Sequence, residues 1–131
     1  MILALAAGSW SGPAAAAKIL FKFNDWAGPT LRVFATRPAG LAADRPVVFV
    51  MHGSTRDAEV SRDHWHELAV ANDLLLLVPE FSERHFPGAE GYDFGNERNT
   101  DGSVRPEAEW TFSAIEKIFD EARRRFSMET N

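Results

Sequence analysis

Two short apolar runs constrain this chain more than any other feature. Val47-Val-Phe-Val-Met51 lies between Pro46 and Gly53, and Leu74-Leu-Leu-Leu-Val78 ends against Pro79. Neither run alternates apolar with polar residues. A strand of that kind has both faces buried, as in a parallel sheet covered by helices on each side. The connection between the runs, about 20 residues, is long enough for a crossover helix, so the pair predicts a βαβ unit. In such units the working groups lie beyond the carboxyl ends of the strands. Those ends carry His52-Gly53-Ser54-Thr55 and Pro79-Glu80-Phe81.

The flanking segments extend the same α/β pattern. Ile19–Asn24 and Leu31–Thr36 read as strands, and Asn24-Asp25 with Gly28-Pro29 turns one into the other as an antiparallel hairpin. Arg37 to Arg45 is a loop. Ser61 is the expected N-cap of the crossover helix, with Trp65, Leu68, Ala69 and Asn72 on one face. Glu80 to Arg105 holds four glycines and several aromatic residues without clear periodicity, and a long irregular stretch of this kind is usually functional. Pro106 to Phe126 is an amphipathic helix whose apolar stripe is Phe112, Ile115, Phe119, Ala122 and Phe126. Its last turn carries Arg123, Arg124 and Arg125, which suit the negative end of the helix dipole.

Composition removes several classes of function. The 131 residues are 45% hydrophobic and 25% charged, in keeping with one ordinary domain. A net charge of -5 without a basic run argues against nucleic acid as a partner. There is no cysteine, hence no disulfide framework and no thiolate metal site. No run approaches the 18 apolar residues of a membrane span, so no membrane partner is expected. Residues 1–17 look like an export signal lacking its leading basic residue, with a small-residue site before Lys18. The expectation is a secreted or periplasmic chain whose domain runs over 18–131; a disordered Ala/Gly-rich leader is the alternative.

A glycine after His52 lets the backbone turn so that the next amide N–H groups face the crevice, where they can stabilise an oxyanion. The blocks Val47–Gly53, Trp65 with Leu68-Ala69, Leu75–Phe81, Phe86-Pro87-Gly88 and Tyr92-Asp-Phe-Gly-Asn96 together resemble the N-terminal half of an α/β-hydrolase. The similar branch is that of polyhydroxyalkanoate-depolymerase-like and feruloyl-esterase-like serine hydrolases. The resemblance implies an incomplete α/β-hydrolase sheet, an antiparallel N-terminal hairpin plus parallel strands flanked by helices. It implies an oxyanion-hole loop at Gly53, Ser54 and Thr55, with Tyr92 and Asn96 as polar groups of a pocket wall. The substrate it implies for the complete protein is a small-molecule or polyester ester, with no cofactor.

The family's nucleophile sits on a Gly-x-Ser-x-Gly elbow, and no such motif occurs in this sequence. The acid and histidine of the triad follow the elbow in chain order, so no catalytic residue is assigned here. The chain is therefore expected to be inactive alone and to leave its Val47–Met51 strand as a sheet edge open to self-association. Two other readings stay open: a small non-catalytic α/β binding module, and a metal enzyme using His52, Asp57 and His64.

Overall fold

The computed structural model describes residues 15–40 and 44–126. Four strands, β1 (Ala17–Phe23), β2 (Leu31–Arg37), β3 (Val47–Phe49) and β4 (Leu75–Pro79), form one sheet in the order β1-β2-β4-β3. β1 pairs antiparallel with β2, and β2 antiparallel with β4, while β3 runs parallel to β4. The helix α1 (Ala58–Ala71) makes the β3–β4 crossover, and α3 (Thr111–Arg125) covers the other face. A single turn, α2 (Gly88–Gly91), interrupts the long segment after β4, and a 3-10 turn at Glu107–Glu109 leads into α3.

All five residues of β4 are buried, as a continuous apolar strand requires. Leu75 and Leu77 face the α3 layer with Val33, Phe81 and Phe86; Leu76 and Val78 face α1 with Phe34. β2 divides its side chains in the same way with period 2: Leu31, Val33 and Ala35 to one layer, Phe34 and Thr36 to the other. The hairpin and the βαβ unit stand where the sequence puts them, whereas the final helix starts at Thr111 and not at Pro106, because Pro106 opens a separate 3-10 turn at Glu107–Glu109.

Three local expectations change. Asp57, not Ser61, caps α1: its carboxylate accepts the Val60 N–H at 3.0 Å, and Ser61 lies inside the first turn. The buried stripe of α1 is Ala58, Arg62 and Ala69, leaving Trp65 and Leu68 exposed. Arg62 reaches the sheet through hydrogen bonds to the Ile19 and Ala35 carbonyls at 3.2 and 3.3 Å, and His66 bonds Thr36 Oγ1 through Nδ1 at 2.8 Å. On α3 the buried residues are Thr111, Ala114, Ile118 and Ala122, while Phe112 is 57% exposed. Of the expected stripe, Ala122 is buried and Ile115 and Phe126 pack partly buried against this layer, whose remaining space Phe81, Phe86 and the sheet's own phenylalanines take up.

β3 is the last strand on its side of the described sheet. Its ladder to β4 uses alternate groups: Pro46 O accepts from Leu75 N at 3.0 Å, and Val50 N donates to Leu77 O at 3.0 Å. By that alternation the N–H groups of Val47 and Phe49 point away from β4, toward the open side.

Candidate oxyanion loop and its support

Because β3 and β4 are parallel, both carboxyl ends open on the same side, and loops 50–57 and 80–96 meet there. His52 is the first residue to join them. Its ring is buried, with Nε2 accepting the Phe81 N–H at 3.0 Å and Nδ1 donating to the Gly53 carbonyl at 3.1 Å. A nitrogen that accepts and one that donates define the neutral Nδ1–H tautomer. Burial pushes the His52 pKa down, and the nearby Arg56 charge adds to the shift against the opposing hydrogen bond to Gly53. The imidazole is therefore a neutral, fully engaged structural group.

Tyr92 and Arg56 complete the junction. The Tyr92 ring stacks on His52 with centroids 4.5 Å apart, and its hydroxyl donates to the His52 carbonyl. Arg56 lies 4.5 Å over the same ring and donates to the carbonyls of Phe81 at 2.7 Å and Gly88 at 3.1 Å. It also pairs with Glu83 at 3.0 Å. Burial raises the Tyr92 phenol pKa, partly offset by the Arg56 charge, so the hydroxyl stays a donor. No sequence pattern pointed to Arg56. Its one unusual property is a left-handed backbone (φ 60) in a residue with a side chain, which only the folded chain reveals.

The turn is also made differently from the expectation for Gly53. Gly53 has no positive φ, and a Cβ there would meet nothing within 4 Å. The left-handed residue is Arg56, whose N–H closes the turn on the Gly53 carbonyl at 3.0 Å. Ser54 and Thr55, at the tip, are exposed, and their backbone N–H groups donate to no acceptor among the described residues.

The two expected wall residues part company. Tyr92 belongs to the junction with His52. Asn96 (φ 57) donates through Nδ2 to the Glu109 carbonyl at 3.1 Å. It lines a separate cavity of about 380 Å³ together with Pro29, Phe86, Arg98 and Arg105. The residues of the metal alternative do not converge on a site. Both ring nitrogens of His52 are bonded, Asp57 caps α1, and His64 stands on that helix's exposed side.

Helices on both faces of a mixed sheet, with a loop of outward amides beyond the strand next to the crossover, define the class as an α/β-hydrolase-type fold. Comparison with solved structures agrees. The chain is similar to poly(aspartic acid) hydrolase-1 from Sphingomonas sp. KT-1, with a TM-score of 0.82 and 32% identity over 87% of this chain and 43% of that one. It is also similar to LpqC, a poly(3-hydroxybutyrate) depolymerase from Bordetella parapertussis, with a TM-score of 0.74 and 31% identity over 82% and 38% of the two chains. No family model and no curated protein sequence matches it. The chain has an α/β-hydrolase-type fold similar to that of these hydrolase and depolymerase structures, and it spans about two fifths of their length, as an incomplete form of that fold would.

Proposed function

We propose that this chain contributes the oxyanion-hole loop and one pocket wall of a serine-type hydrolase acting on carboxylic esters, and that it does not turn over substrate by itself. The observation that carries the reading is the pair of exposed amides at Ser54 and Thr55, held beyond the carboxyl end of β3 without protein acceptors among the described residues. Donors fixed in this way gain most when a carbonyl oxygen becomes a tetrahedral oxyanion, because no reorganisation is then needed. The named activities of the two structural neighbours support it. One is a poly(aspartic acid) hydrolase and the other a poly(3-hydroxybutyrate) depolymerase; a polyamide and a polyester both carry acyl carbonyls along the backbone. A polyester or a small ester is the substrate class proposed here.

The test is p-nitrophenyl ester hydrolysis by the purified chain, alone and co-expressed with a downstream segment carrying Gly-x-Ser-x-Gly. No turnover alone and turnover with the segment is the expected result. Turnover by the chain alone would overturn the claim that it is inactive by itself, and turnover that survives Ser54→Ala and resists serine-directed inhibitors would overturn the serine-hydrolase reading as well.

Export is part of the same proposal. Most of the leader, residues 1–14, lies outside the described residues. N-terminal sequencing of the chain expressed with its leader should return Lys18 as the first residue of a periplasmic or secreted form. An uncleaved Met1 in the cytosol would rule this out.

A further inference from the structure

We infer that Tyr92 and Arg56 are positioning residues that set the peptide planes of the oxyanion loop, an inference that rests on the hydrolase reading above for its catalytic meaning. In a trans peptide unit the C=O and the following N–H point in opposite directions, so anchoring one aims the other. The Tyr92 hydroxyl anchors the His52 carbonyl and thereby aims the Gly53 N–H. His52 Nδ1 and the Arg56 N–H both bond the Gly53 carbonyl, at 3.1 and 3.0 Å, and thereby aim the Ser54 N–H outward. Two consecutive amides are thus directed by the Tyr92 and His52 side chains and the Arg56 N–H, and not by strand pairing.

The anchors are themselves held. Phe81 N–H fixes the His52 ring at 3.0 Å, and Arg56 spans loop 80–96 through Phe81, Gly88 and Glu83 while covering the Tyr92 ring. A Cβ at Gly53 would meet nothing within 4 Å, Ser54 is exposed, and neither N–H donates to an acceptor among the described residues, so side-chain packing does not hold these amides in place. The function of the second loop is then to orient the first. A pocket wall alone would need neither the Tyr92–His52 bond nor the Arg56 fork.

The test is backbone ¹⁵N relaxation at Gly53 and Ser54 in the intact chain and in Tyr92→Phe, which keeps the ring and loses only the hydroxyl. Order parameters of about 0.85 in the parent chain should fall below about 0.6 at Gly53, whose peptide plane the lost bond sets, while Ser54, Leu77 in β4 and Ala69 in α1 stay rigid. Arg56→Lys keeps the charge and loses the fork. By freeing residue 56, whose N–H anchors the Gly53 carbonyl, it should loosen the Ser54 amide, and it decides the matter alone if Tyr92→Phe does not fold. A Gly53 amide that stays rigid in folded Tyr92→Phe, or a Ser54 amide that stays rigid in folded Arg56→Lys, overturns the inference. Since relaxation is read without substrate, a failed ester assay would remove the proposed hydrolysis and leave this result standing, and the converse holds.

Discussion

The Phe81 N–H donates to Nε2 of His52 across 29 positions of chain, and that single bond ties the end of β4 to the loop after β3. It exists only while Nε2 is an acceptor, that is, while the imidazole is neutral. Burial lowers the His52 pKa below its ordinary 6.5. In the window between the folded and unfolded values the unfolded chain binds more protons, so stability rises with pH there. The contribution is fully present above about pH 6.5 and is lost as the pH falls toward the folded value. Urea midpoints measured from pH 5 to pH 8 should fall on the acid side. His52→Gln should flatten that dependence relative to the parent; an identical slope in both would show that His52 is not its source.

The face that α3 buries is open to a direct contrast. Ile118 is fully buried, whereas Phe112, the larger side chain, is 57% exposed. Ile118→Ala should destabilise by about 2–5 kcal/mol. Phe112→Ala should change stability by less than about 1 kcal/mol. Chemical denaturation of both variants checks the assignment, and the reverse ranking would return α3 to the stripe of phenylalanines that the periodicity suggests.

Capping of α1 makes a smaller prediction. Asp57→Ala removes the acceptor of the Val60 N–H and should lower stability by about 1 kcal/mol. Asp57→Ser should recover most of it. Ser61→Ala should have little effect, and an equal loss there would restore Ser61 as the cap.

The outer side of β3 predicts association in solution. Val47 and Phe49 direct their N–H groups away from β4, and an unpaired apolar edge recruits further strands. Val47→Pro removes one of these donors at the first position of the strand, where proline is tolerated. Light scattering should show self-association of the parent chain and a shift toward monomer in Val47→Pro. A monodisperse parent monomer would count against the edge as an interface.

What the sequence determined by itself was the set of elements whose burial is written locally. Val47–Met51 and Leu74–Val78 announce strands because every residue in them is apolar; β4 is buried throughout as expected, whereas β3, at the edge of the described sheet, is half-buried and Met51 is exposed. The hairpin announces itself through strand runs broken by Asn24-Asp25 and Gly28-Pro29. The position of the His52–Thr55 segment beyond the carboxyl end of β3 followed from these, whereas the oxyanion role of Gly53, Ser54 and Thr55 was implied by the family resemblance.

Tertiary structure decided what depends on partners far along the chain. Phe112 and Ile118 both suit an amphipathic helix; which is buried depends on how much space the sheet's phenylalanines leave. Arg62 and His66 face the sheet because carbonyls and Thr36 wait there as partners, which no helical period records. Arg56 meets Phe81 across 25 positions, and Tyr92 meets His52 across 40. A periodicity senses how buried a residue is, whereas these bonds depend on direction and distance between loops, and only folding brings such loops together.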